Sequence, residues 1–147
     1  MTDAGLAALV RRRLALVALS LAACAPPDGP QPIVYDREPC AHCRMLISEP
    51  KFAAQLQTQE GEIQSFDDPG CLLAALATRA PNVRALWFHH VREERWLDAA
   101  HVAFEDAQRT PMGYGLGAVA AGTPHALSLD EARARFAERG ARPERRP

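Results

Sequence analysis

Apolar positions in this chain fall into short runs whose period changes from two to about three and a half along the sequence. Phe52 to Leu56 (Phe-Ala-Ala-Gln-Leu) and Glu62 to Phe66 (Glu-Ile-Gln-Ser-Phe) alternate partially on either side of Gly61, which predicts a hairpin. Asp67-Asp68-Pro69-Gly70 reads as a helix start, with Asp68 as N-cap and Pro69 at the first position, where its missing N–H is no loss. Leu72, Leu73 and Leu76 share one side of that helix, which ends near Arg79 and is stopped by Pro81. Val83 to Val91 is rich in branched and aromatic residues and predicts a third strand. Arg95 to Ala99 and His101 to Phe104 predict a further strand pair. Met112 to Gly117 is glycine-rich, lacks the spacing and helix start of a phosphate loop, and leads into apolar Ala118 to Ala121. Ser128-Leu129-Asp130-Glu131 is a capping box that opens a last helix with Leu129, Ala132 and Phe136 inward and Gly140 as its stop. Strand and helix runs without regular βαβ alternation predict an α+β fold in two halves, each with short strands and one helix.

Before residue 40 the pattern is of another kind. Arg11-Arg12-Arg13 precedes an apolar run from Leu14 to Ala23, too short to span a bilayer and suited to a signal-peptide core. The run ends in Leu21-Ala22-Ala23-Cys24, which resembles a bacterial lipobox; an ordinary signal peptide cut after Ala23 is the alternative. The lipobox implies a lipidated Cys24, a membrane anchor and a domain on the periplasmic side. Ala25 in place of Asp favours the outer membrane by the same resemblance. Pro26, Pro27, Pro30, Pro32 and Pro39 leave no room for a helix, so residues 24–39 are expected to be an extended tether. The folded unit is then expected over 40–140, with halves at about 40–91 and 92–140, and a disordered Arg- and Pro-rich tail over 141–147.

Seventeen basic and eighteen acidic residues give a net charge of −1, which provides no field for nucleic acid. The chemistry is concentrated in Cys40-Ala41-His42-Cys43-Arg44-Met45. A two-residue spacing lets both thiols reach one ion, and thiolates with a thioether are soft donors that suit Cu(I) better than Zn²⁺. A disulfide, with Met45 merely packing, is the bland alternative. A structural zinc site from Cys40, Cys43, Cys71 and His89 or His90 is another. A thioredoxin-like redox pair needs a strand before it and a helix after it, and the segment before Cys40 is proline-rich.

Cys71 falls at the third position of the first helix, where the dipole would favour a thiolate; a small buried cysteine packing under the hairpin is the preferred reading. His89 and His90 point to opposite faces of a strand, so at most one serves a given site. Asp67 and Asp68 form a possible acid pair, though capping already explains Asp68. No Ser-His-Asp order or nucleophile elbow appears, and no catalysis is expected. The Cys40–Met45 segment, lying between tether and first strand, is expected at the edge of the folded unit.

Taken together, the lipobox at Cys24, Cys40-x-x-Cys43-x-Met45, Phe66-Asp67-Asp68 with Gly70-Cys71, and Pro111-Met112-Gly113-Tyr114-Gly115 resemble the NosL family. Its members are lipoproteins that deliver copper during maturation of nitrous oxide reductase. The resemblance implies two ββαβ halves, similar to the organomercurial lyase core. It also implies Cu(I) as cargo, with Cys40, Cys43, Met45 and Met112 as candidate ligands and Met112 reaching across from the second half. Its implied partners are nitrous oxide reductase and that enzyme's membrane ATP-driven maturation complex. One position departs from the family, which usually has Gly where this chain has Arg44, at a place that suits positive φ.

Overall fold

Two antiparallel sheets and two helices form from these runs in a computed structural model, which describes residues 27–141. The expected signal peptide, Cys24, the first tether residues and the tail from 142 lie outside the described residues. β1 (Ala54–Thr58) and β2 (Ile63–Phe66) make the predicted hairpin, with Ala54 opposite Phe66 and Gln57 opposite Ile63. Gly61 turns the chain at φ 91°. β1 starts two residues later than the alternation predicts, because Pro50 opens a 3-10 turn that runs through Phe52.

The first helix, α1 (Pro69–Arg79), starts and stops as its punctuation predicts. Asp68 Oδ1 accepts the Gly70 N–H at 2.7 Å, and Ala80 closes the helix in the left-handed conformation at φ 42°. β3 (Val83–His89) returns along the far side of β1, and β4 (Trp96–Asp98) adds to β3, giving the order β2-β1-β3-β4. The second sheet has β5 (Val102–Asp106) between β6 (Leu116–Ala120) and β7 (Leu127–Ser128). α2 (Leu129–Ala141) follows, opened by the predicted capping box: Ser128 Oγ accepts the Glu131 N–H, and Glu131 Oε2 accepts the Ser128 N–H at 2.8 Å. The fold is α+β, with β1-β2-α1-β3 in ββαβ order and the second helix last among the described elements.

Three expectations need correction. The runs at 95–99 and 101–104 do not pair with one another: β4 belongs to the first sheet and β5 to the second. Asp98 Oδ1 accepts the N–H groups of Ala100 and His101, and this side-chain turn passes the chain between sheets instead of reversing it into a hairpin. Among the described residues the proline-rich stretch carries no helix, turns at 35–37 with Asp36 at φ 60°, and is fastened to the domain from Pro27 onward. Gln31 N–H donates to Gln55 Oε1 at 2.7 Å, Gln55 Nε2 donates to Gln31 C=O at 3.0 Å, and Gln57 Nε2 donates to Pro27 C=O at 3.1 Å. It thereby covers the outer face of β1, whose two glutamines are 1% exposed. Finally, Gly140 does not stop α2, which runs on to Ala141.

The sheets meet through Phe88 of β3 and Phe104 of β5, both fully buried, with ring centroids 5.0 Å apart and edge to face. A backbone bond from Val91 N–H to Ala118 C=O at 2.8 Å joins the end of β3 to β6. Leu72 and Leu73 of α1 and Ala132 and Phe136 of α2 turn their apolar sides into the same core. The junction between β2 and α1 is left facing the segment that contains the Cys-x-x-Cys motif.

Candidate metal centre

The Cys40–Met45 segment closes into a tight turn. Arg44 N–H donates to Cys40 C=O at 3.1 Å and Cys40 N–H donates to Met45 C=O at 2.7 Å, while Pro39 and Leu46 form a bridge below. Closing so short a turn requires a left-handed residue, and Arg44 takes that conformation at φ 69°. The position that called for glycine on resemblance therefore has the backbone that glycine favours. The turn is tied down on two sides. Ala41 N–H donates to Ser65 C=O of β2 at 2.9 Å, and Ser48 N–H donates to Asp67 Oδ1 at 3.1 Å.

These ties place the sulfurs of Cys40 and Cys43 next to that of Cys71, in the first turn of α1. All three sulfurs lie within 4.8 Å of one another, and none is in a disulfide. Three sulfurs at about 2.3 Å from one ion in a trigonal plane would stand roughly 4.0 Å apart, using the metal–thiolate distance typical of zinc. The cluster is thus close to the size of a three-coordinate site. Cys40 and Cys71 are wholly buried, whereas Cys43 is half-buried at the mouth. The segment was expected at the edge of the folded unit, but only its outer part lies there. Cys40 is drawn into the core by the bond from Ala41 to β2, while Met45 is 58% exposed.

Charge is shared unequally in the cluster. The Cys71 thiol donates to the Cys40 sulfur, and backbone N–H groups of Asp67, Cys43 and His42 add to it, so the Cys40 pKa is lowered to about 4. The same bond to the Cys40 thiolate, together with burial, pushes the Cys71 thiol well up. Burial also raises Cys43. A thiolate was considered for Cys71 on the strength of the helix dipole; the anion sits on Cys40 instead, because Cys40 receives the larger set of donors. A soft cation entering the cluster would meet one thiolate already formed and would displace protons from the other two.

Met112, expected to reach across from the second half, is partly buried against the core that includes Cys40 and Cys71. Its N–H donates to Asp68 Oδ2 at 3.1 Å. Gly113 and Gly115, at φ 70° and 76°, shape the loop that holds it. Neither histidine proposed for a zinc site joins the sulfurs, and among the described residues no His, Asp or Glu completes the cluster as a fourth ligand. His89 Nδ1 meets His90 C=O, and His90 Nδ1 accepts the N–H groups of Arg92 and Glu93, which is a structural use of both rings. Asp67 and Asp68 act as acceptors for backbone groups in two different segments, and do not form an acid pair facing one substrate.

Cys71 is the member that the sequence left among the packing residues. The signals for it were its third place in α1, its inclusion in the alternative zinc set and its position in the Gly70-Cys71 motif; none of these by itself joins it to Cys40 and Cys43.

No protein-family model matches the chain, and no curated protein matches it either. Among solved structures, the chain is similar to the crystal structure of the copper chaperone NosL from Shewanella denitrificans. The TM-score is 0.54 at 20% identity, over 78% of this chain and 89% of that one. That likeness establishes a shared fold.

Proposed function

We propose that this chain is a copper carrier of the cell envelope, which holds Cu(I) in the Cys40–Cys43–Cys71 cluster and passes it on without catalysing a reaction. The observation that carries this reading is the meeting of three cysteine sulfurs within 4.8 Å, with Cys43 the least buried of the three residues. Three thiolates form a soft donor set of the coordination number that Cu(I) accepts, whereas structural zinc calls for four ligands. The fold shared with a structure described as a copper chaperone supports the same choice.

Burial gives the site an inner and an outer side. Cys40 and Cys71 retain the ion, while Cys43 is the sulfur that an incoming thiol or thioether can replace first. Met45, exposed beside it, is the thioether donor expected to assist capture or release, and Met112, partly buried against the same core, is expected to add a thioether to the three thiolates. The proposed recipient is nitrous oxide reductase, reached together with its membrane ATP-driven maturation complex. The proposed location is the periplasmic side of the envelope, held by a lipid on Cys24 and most consistent with the outer membrane. Both extensions rest on the family resemblance and the lipobox.

Competition of the reduced protein against a Cu(I) chelator and, separately, a Zn²⁺ chelator tests the metal. The expected result is about one Cu(I) per chain, held far more tightly than Zn²⁺, with Cys40→Ser and Cys71→Ser each losing most of the affinity. Tight stoichiometric zinc that displaces copper would overturn it. For the anchor, Cys24→Ser should release the protein from membranes. For the recipient, deleting the gene should leave nitrous oxide reductase short of copper.

A further inference from the structure

Asp68 makes more contacts than a helix cap requires. It is wholly buried, and one carboxylate oxygen already caps α1 through the Gly70 N–H. The other oxygen accepts the N–H of Met112, 44 residues further along, and the Thr110 hydroxyl bonds to the same carboxylate. Thr110 Oγ1 in turn accepts the Gly115 N–H at 3.2 Å, so the loop is fastened to itself and to Asp68. For capping alone, Ser or Asn would serve about as well. A carboxylate is the side chain that offers two acceptor oxygens and no competing donor.

The same loop presses the Tyr114 ring onto Gly70, one residue before the buried Cys71. Asp67 faces the other way and holds Ser48, just beyond the Cys40–Met45 turn. Two consecutive residues therefore fasten two separate segments to the helix that bears the third cysteine. One segment carries Cys40 and Cys43, the other Met112.

We propose that Asp68 is a positioning residue for the metal: its carboxylate fixes the Met112 backbone so that the thioether closes over the three sulfurs. The proposal rests on the copper reading above. Its effect on the metal runs through Met112, whereas its effect on the helix runs through the Gly70 cap, which Asn and Ser retain.

Asp68→Asn keeps a good cap oxygen for Gly70 but turns an amide N–H₂ toward the Met112 N–H, donor against donor. Asp68→Ser also caps, and is too short to reach Met112. Both variants, Met112→Ala and the double variant Asp68→Asn/Met112→Ala are to be measured for Cu(I) affinity by chelator competition. Sulfur number at copper is to be read by X-ray absorption, and melting recorded alongside. The expected result is a loss of about tenfold to a hundredfold in affinity for each single variant, the range typical of groups that orient metal ligands. The double variant should be no weaker than Met112→Ala, and each should show one sulfur fewer at the metal. Losses that multiply in the double variant, or an unchanged sulfur count in Asp68→Asn and Asp68→Ser, would overturn the role of Asp68 while leaving the copper site intact. A wild-type protein that fails to hold Cu(I) would overturn the copper reading itself, and this proposal with it.

Discussion

Gly70→Ala should be strongly destabilising for a change of one methyl group, and the structure gives its size. A Cβ at position 70 would lie 2.2 Å from Tyr114 Cγ, 2.4 Å from Tyr114 Cβ and 2.5 Å from Tyr114 Cδ2. Ordinary carbon contacts stand at about 3.5–4.0 Å, so Tyr114 would have to retreat by more than an ångström. Rotating the ring cannot achieve this, because Tyr114 Cβ is itself one of the atoms struck. The backbone of the loop must move, and that loop is held by the bond from Met112 to Asp68 and backed by Phe136, whose ring centroid is 5.3 Å from that of Tyr114. Overpacking of this kind costs about 3 kcal/mol at the upper end of its usual range. Replacing a helical Gly by Ala returns about 1 kcal/mol. The net loss of about 2 kcal/mol corresponds to a fall in Tm of roughly 8 °C for a domain of this size. Thermal unfolding followed by circular dichroism measures it. In a cycle with Tyr114→Gly, the double variant should lose clearly less than the sum of the singles, since Tyr114→Gly removes the atoms that the new Cβ at position 70 strikes. Additive losses, or an unchanged Tm for Gly70→Ala, would refute the close approach.

Other outcomes are as specific. Arg44→Gly should stabilise the protein, since the left-handed residue at φ 69° costs about 1–2 kcal/mol and the greater freedom of unfolded glycine offsets about half of that; a lower urea midpoint would refute it. Ser128→Ala should lose about 1 kcal/mol in the same assay by removing the cap of α2. Burial lowers the pKa of His90, so the folded state disfavours the imidazolium and the unfolded chain binds the proton more tightly. Its contribution is therefore present above the ordinary histidine value and is lost as the pH falls through the lowered one. Urea midpoints should decline on acidification below about pH 6.5, and His90→Gln should flatten that slope. A slope unchanged in His90→Gln would assign it to other groups.

Much of the local structure is written in the chain, because its causes are local. Asp68-Pro69 starts α1, Ala80-Pro81 ends it, and Ser128 with Glu131 opens α2, each through bonds spanning no more than four residues. The α+β class follows from runs of strand and helix that do not alternate regularly, and the soft chemistry follows from Cys40, Cys43 and Met45 within one short turn. What lay beyond reach depends on groups distant in sequence. Gln55 and Gln57 alternate as a solvent face would, yet they are buried because Pro27 and Gln31 return to bond them. Cys71 reads alone as a small packing residue. It becomes the third sulfur only when Ala41 bonds to Ser65 and brings the Cys40 turn against the start of α1. The second oxygen of Asp68 finds its donor 44 residues away, at Met112. Local sequence sets the conformations that a segment prefers. The packing of two sheets decides which segments meet, and here that meeting creates the site.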